Sequence, residues 1–132
     1  VSVVEDRADL AADFEDVQFI MANPEEYAEK VSITKDTYAV ICTRGHLTDD
    51  DALRFCLQYP CKYLGMIGSS QKVKTLFEGL RASGYPEETL DRLYTPIGLA
   101  IASEIPAEIA VSILAEKQQK KNCGSPAHKK AL

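Results

Sequence analysis

The chain has 132 residues, of which 45% are hydrophobic and 27% charged, and a formal net charge of −5. That is enough chain for one domain with a real hydrophobic core. The acidic balance argues against nucleic-acid binding, and no apolar run approaches the roughly 18 residues that a membrane span needs. No signal peptide is visible. The four cysteines, Cys42, Cys56, Cys61 and Cys123, form no C-x-x-C pair and no zinc-finger spacing with histidine. They are expected to be reduced thiols of a cytoplasmic protein, with no metal site.

Val1–Val4 is a short β-rich run that meets Glu5 and Asp6. Residues 17–21 make a second strand candidate. Asn23-Pro24-Glu25-Glu26 carries the signs of a helix start: a capping residue, a proline at the first position and an acid three residues on. Residues 37–43 are nearly all apolar, as a strand buried on both faces should be. The loop Arg44-Gly45-His46 follows, and Thr48 with Asp51 has the pattern of a capping box for a helix whose apolar stripe is Leu53, Cys56 and Leu57. Residues 62–67 form another strand. Gly68 turns the chain, Ser69 or Ser70 caps a helix that buries Val73, Leu76, Phe77 and Leu80, and Gly84 ends it.

Residues 86–93 are expected to be a short helix, and Thr95–Leu99 a short strand or turn. A last helix starts at Pro106 and is apolar nearly all round, which predicts a well-buried element. The Lys- and Gln-rich residues 117–132 are expected to be a flexible basic tail, leaving residues 1–116 as the domain. Strands alternating with helices imply a parallel sheet with right-handed crossovers. The predicted fold class is therefore α/β: a Rossmann-like three-layer domain with a mostly parallel sheet, lacking the first strand and its Gly-rich loop.

Three segments carry candidate chemistry. In a dinucleotide-binding fold the second strand ends in a carboxylate for the ribose hydroxyls, a position that Glu5 and Asp6 suit. A carboxylate there would favour NAD over NADP; the alternative is an acidic strand end open to water. Thr43-Arg44-Gly45-His46 follows a buried strand, and ligands of open α/β sheets bind outside the carboxyl ends of the strands. Arg44 offers a fork of donors, Gly45 permits close backbone approach, and His46 can donate or accept. Gly65-Met66-Ile67-Gly68-Ser69-Ser70 leads into a helix whose first turn carries Gln71, Lys72 and Lys74 but no acid. Cations there oppose the helix dipole, and a bound anion would resolve the conflict. Asp49-Asp50-Asp51 is accounted for by capping and the dipole. No Ser/His/Asp set, paired catalytic carboxylates or P-loop is present, so no catalytic residue is assigned.

Taken together, several stretches resemble the XdhC/CoxF family. Thr43-Arg44-Gly45-His46 with Asp49 and Leu53 is similar to its T-R-G-H-x-x-D-x-x-x-L stretch. Tyr63–Ser69 with Lys72-Val73 resembles Y-[IL]-G-M-I-G-S-x-x-K-V. Pro96–Leu99 resembles P-I-G-L, Ile109–Glu116 resembles I-A-V-S-I-x-A-E, and Val3–Arg7 resembles V-V-[DE]-D-R. Departures fall at Ser70, Ala100, Ala102 and Ile105, where the family often has Arg, Asp, Gly and Thr.

The resemblance implies an accessory protein for a molybdenum hydroxylase such as xanthine dehydrogenase. Such a protein binds molybdenum cofactor (molybdopterin), supports its sulfuration with a cysteine desulfurase, and delivers it to the target. Together the readings give a cofactor-binding set of Glu5, Asp6, Thr43, Arg44, Gly45, His46, Gly65, Gly68, Ser69, Ser70 and Lys72. NAD or another nucleotide is the alternative ligand. Two other functions compete: an NAD(P)-dependent oxidoreductase fragment, with Glu5 and Asp6 on the ribose and His46 near the nicotinamide, and a domain that only docks the target enzyme. In strand order 3-2-1-4-5 the first strand is central. Its neighbours here would lack a partner on one side, so upstream residues, a strand swapped from another copy in a homo-oligomer, or a shifted sheet order is expected to fill the gap.

Overall fold

The computed structural model describes residues 1–43, 45–95, 97 and 106–121, with His46 and Pro106 described in their backbone alone. Among the described residues, five strands and the helices between them alternate along the chain, and every strand pairing is parallel. Strand β1 (Ser2–Glu5) pairs with β2 (Gln18–Met21) in one sheet. Strands β3 (Tyr38–Ile41), β4 (Tyr63–Met66) and β5 (Leu93–Tyr94) form a second sheet in that order.

β1 and β3 are both edge strands among the described residues, as expected of a Rossmann-type order without its first strand. Among the described residues β1 pairs with β2 alone, so it does not close the gap by pairing with β4. Val4 and Val40 lie on the two open-edge strands and are among the exposed large apolar residues.

β4 is buried along its whole length, as the middle strand of a covered sheet should be. Its alternation divides the molecule into layers. Leu64 and Met66 enter the core with Leu53, Cys56 and Leu57 of α2 (His46–Leu57) and Leu76 and Leu80 of α3 (Ser70–Ala82). Tyr63 and Gly65 face the other way. Tyr63 donates a 2.6 Å hydrogen bond to Glu116 of α5 (Pro106–Lys121), and the space beside Gly65 is taken by Ile97. Helices on both faces of a parallel sheet make the fold α/β and Rossmann-like.

Local chemistry sets most boundaries. Asn23 starts a 3-10 turn (Pro24–Glu26) in which Glu26 accepts the Asn23 amide at 3.1 Å. That turn runs into α1 (Tyr27–Lys30), a single turn held by the Lys30–Glu26 ion pair at 2.6 Å. Ser69 caps α3 by accepting the Lys72 amide, and Gly84, at φ 94°, takes the left-handed conformation just past its end. The helix expected over 86–93 is the short α4 (Glu87–Leu90), followed by the strand Leu93–Tyr94. Of the strand or turn expected over 95–99, Pro96, Gly98 and Leu99 lie outside the described residues. A 3-10 segment at Ala8–Phe14 connects β1 and β2 without any apolar period that would announce it.

Three expectations are corrected. The Thr48/Asp51 capping box does not form, because α2 starts two residues before Thr48, with Gly45 at the cap position. Helix α5 is not buried all round: Val111 and Leu114 are 58% and 60% exposed, while the polar Ser112 and Glu116 are buried. The apolar sequence hides this because a helix docks by whichever face has partners, and here Tyr63 gives Glu116 one. The helix also continues through Lys121. Lys117 and Lys120 lie over the rings of Tyr38 and Tyr94, 5.1 and 4.7 Å from their centroids, so the first turns of the expected tail belong to the fold. None of the described helices is long and apolar enough to cross a membrane.

Candidate functional site

The carboxyl ends of β1, β3 and β4 carry the residues singled out above. Glu5 ends β1, and its Oε1 is engaged by the Arg7 guanidinium. Arg7 shares the strand end, so the charge there is mixed. Burial and then the charges of Asp6 and Asp51 raise the Tyr27 hydroxyl above its usual range. Atoms packed around the Cys42 thiol push it up first, followed by the Asp49 and Glu5 carboxylates. The Glu5 carboxylate at the end of β1 thus acts on the thiol just past β3.

Thr43 and Asp49 form the centre of the rim. Asp49 is fully buried. Its Oδ1 accepts the Thr43 amide at 3.1 Å and lies 2.6 Å from the Thr43 hydroxyl, nearer than the Gly45 carbonyl at 3.1 Å. Its Oδ2 has the Lys72 ammonium as counter-charge, and no other donor among the described residues is placed against it. Asp49 thereby ties three segments together: the end of β3, the start of α2 and the first turn of α3.

This arrangement changes the reading of Lys72. The cation that opposes the α3 dipole is met by a carboxylate of this same chain. A bound anion is not needed to balance it. Asp49 is the residue that sequence reasoning missed, because an acid in a helical first turn is fully explained by the dipole. The run divides in three: Asp49 points inward, Asp50 pairs with Arg54 at 3.0 Å, and Asp51 stays exposed.

The glycines separate by role. Gly65 is required by packing, since a Cβ there would lie 2.5 Å from Ile97 Cδ1 and 2.7 Å from the Tyr63 hydroxyl. Gly68 would put a Cβ in ordinary contact with Lys72 and Val73, at 3.4 and 3.6 Å. Gly45 has extended backbone (φ −158°) and open space where a Cβ would be. Neither conformation nor packing within the described residues calls for glycine there. Ser69 and Ser70 are exposed at the α3 start. Arg44 and the His46 side chain lie outside the described residues.

The rim brings Glu5, Thr43, Gly45, Gly68, Ser69, Ser70 and Lys72 to the carboxyl ends of the strands, with Asp6 directly after β1; Gly65 sits one position inside β4, buried beside Ile97 on the face opposite the core. Two shallow cavities lie elsewhere, one of about 140 Å³ lined by Cys61, Lys62, Arg92 and Tyr94, the other of about 300 Å³ along residues 28–33 and Tyr59. No group of three or more His, Cys, Asp or Glu among the described residues is placed to hold a metal.

Comparison with known proteins matches this arrangement to others. The family model described as the XdhC Rossmann domain matches residues 1–117. The chain is 38% identical over 94 residues to the uncharacterized protein YqeB of Escherichia coli (strain K12), covering 71% of this chain and 17% of that protein. It is 31% identical over 99 residues to a protein of Bacillus subtilis (strain 168) described as a probable xanthine dehydrogenase subunit, covering 75% of this chain and 28% of that one. A crystal structure described as a xanthine dehydrogenase from Bacillus halodurans superposes with a TM-score of 0.79 at 29% identity, over 97% of this chain and 37% of that chain. The chain thus spans well under half the length of each of these relatives. Its parallel α/β architecture, the rim at the strand ends and the match over residues 1–117 place the chain in the family of XdhC Rossmann domains.

Proposed function

We propose that this chain is the cofactor-handling domain of an accessory factor for a molybdenum hydroxylase of the xanthine dehydrogenase type. Its task is to bind molybdenum cofactor, as molybdopterin, to support its sulfuration with a cysteine desulfurase, and to hand it to the target enzyme in the cytoplasm. Family membership and the names of two relatives support the association with xanthine dehydrogenase. The observation that carries the ligand-binding half is the rim. Gly45 leaves open space beside a Thr43–Asp49–Lys72 unit that is fixed before any ligand arrives.

The donor set fits the phosphate-bearing half of such a cofactor. Exposed Ser69 and Ser70 stand at the start of a thirteen-residue helix, where hydroxyls and the positive end of the dipole favour a phosphate. Gly45 permits backbone approach, and Arg44 supplies a charged fork from the adjoining position. Delivery needs no acid/base pair, and Asp49, the buried carboxylate of the rim, already has both oxygens engaged.

The test is to express the chain in a host that makes the cofactor, purify it, and read the fluorescence of oxidised pterin released on denaturation. Pterin that accompanies the protein, and falls away in an Arg44→Ala, Ser69→Ala double variant, supports the proposal. The oxidoreductase reading predicts instead stoichiometric oxidation of NADH by an added acceptor, which the delivery reading does not.

A further inference from the structure

We infer that Asp49 is the positioning residue of this rim: it touches no ligand, and it sets ligand affinity by holding Thr43, just past β3, and the first turn of α3 in one fixed relation. This rests on the proposed role of the rim in binding a phosphate-bearing cofactor. It assigns a function to a residue that sequence reasoning left to helix capping.

Asp49 has no exposed surface, so a ligand in the rim cannot reach it. Each of its oxygens is committed to a different segment. Oδ1 takes both donors of Thr43, at 3.1 and 2.6 Å, and so fixes the backbone and the χ1 of the residue that follows β3 at its carboxyl end. Oδ2 takes the ammonium of Lys72, whose amide is bonded to the cap residue Ser69. The chain has no other described side chain that bridges these two candidate ligand-holding segments. Because the carboxylate is buried, its bonds are little screened by solvent or salt, and the geometry they impose is persistent. Lys72 is then a strut, with its charge already matched, and the ligand's phosphate is left to the α3 start.

Thr43 provides a graded probe of the same unit. Thr43→Val removes only the hydroxyl donor, whereas Thr43→Ser keeps it. Asp49→Asn keeps an acceptor for Thr43 but removes the charge that holds Lys72. Lys72→Met removes the far end of the bridge.

The experiment uses the full chain with ADP as the probe, since it presents two phosphates without the lability of a pterin. Affinity is measured by calorimetry for the wild type, Asp49→Asn, Lys72→Met, the double variant, Thr43→Val and Thr43→Ser. Backbone hydrogen exchange is followed in parallel by mass spectrometry. Asp49→Asn and Lys72→Met are each expected to weaken ADP binding roughly tenfold to a hundredfold, the scale on which small misplacements act. The double variant should be no weaker than the weaker single, because both break one bridge. Thr43→Val should lie between these and the wild type, and Thr43→Ser should match the wild type. Exchange in Asp49→Asn should rise together over residues 42–48 and 68–72 while β4 and the second half of α3 keep their protection.

Unchanged ADP affinity in Asp49→Asn would overturn the inference, as would single effects that multiply in the double variant. So would exchange that rises uniformly along the chain, which is the mark of a general loss of stability. If the wild type itself binds no ADP, the phosphate-binding reading fails and takes the affinity role of Asp49 with it. The exchange pattern then reports separately whether Asp49 couples the two segments. If Asp49→Asn does not fold, Thr43→Val against Thr43→Ser decides the matter alone, equal affinities counting against the role.

Discussion

Tyr63, at the start of the central strand, donates a 2.6 Å hydrogen bond to Glu116, and both groups are buried. The Tyr63 ring also stacks on Tyr94 at 5.2 Å and lies 6.5 Å from Tyr38, so one tyrosine from each strand of the second sheet lies under α5. Burial first, and then the bond to Glu116, raise the Tyr63 hydroxyl well above its usual range. This contact joins the last helix to the sheet. Tyr63→Phe removes a 2.6 Å hydrogen bond to a buried carboxylate and should cost about 1–3 kcal/mol in denaturant unfolding. Hydrogen exchange should rise selectively over residues 106–121. Unchanged protection there would show that α5 is held by its other contacts.

The two strand-side glycines should behave oppositely. Gly65→Ala places a methyl group against Ile97 and the Tyr63 hydroxyl at distances that real Cβ atoms do not adopt. It should destabilise the chain by about 1–3 kcal/mol, read as a lower denaturant midpoint at unchanged slope. Gly45→Ala meets open space at an ordinary φ and should change stability by less than about 0.5 kcal/mol. Its effect is expected on pterin or nucleotide binding. Loss of stability with binding intact would assign Gly45 to the fold.

Those positions also mark how far the sequence reaches. The strand centres were readable because their apolar runs are bounded by turn residues, and the buried face of α3 because Leu76 and Leu80 fall at helical spacing. The Ser69 cap was readable because the cap is local chemistry. Asp49 was not, since its partner Lys72 lies on another helix and a first-turn acid has a sufficient local explanation. The orientation of α5 was hidden for a related reason. When every face is apolar, the docked face is chosen by partners elsewhere in the chain, here Tyr63 for Glu116. The Glu5–Arg7 pair joins two residues whose facing depends on how the chain leaves β1. The open edges of β1 and β3 followed from the order of strands, once parallel pairing was assumed.

Alkaline pH should weaken the fold through Cys56. Burial and then the nearby Cys61 push its thiol up to about 12 from an ordinary value of 9.0, against the opposing pull of Arg92. The unfolded thiol releases its proton first, so between these values the native state binds more protons. The contribution is fully present below pH 9.0 and is lost as pH rises towards about 12. Unfolding free energy measured against pH should be flatter over this window in Cys56→Ala than in the wild type, after allowing for the smaller side chain. Parallel curves would remove Cys56 as a source.

Lys72→Met strands the buried Asp49 carboxylate without its counter-charge, and loss of one partner of a buried pair costs on the order of 3 kcal/mol. Asp49→Asn combined with Lys72→Met should recover part of that loss, because no buried charge is then left unmatched. A thermal melt of the three variants checks this. A double variant less stable than Lys72→Met alone would show that the carboxylate stabilises the fold chiefly through Thr43.

The central claim is that the rim at the strand ends receives a phosphate-bearing cofactor. It is tested most directly by the melting temperature of the chain with and without molybdopterin at about 100 times its dissociation constant, with ADP as a second ligand. Linkage gives about 2.7 kcal/mol at that ratio, a rise of roughly 5–10 °C for a domain of this size. The account predicts such a rise with molybdopterin, abolished by Arg44→Ala with Ser69→Ala. No rise with either ligand, in a chain that melts cooperatively, would contradict it and leave a domain that docks the target enzyme without holding its cofactor.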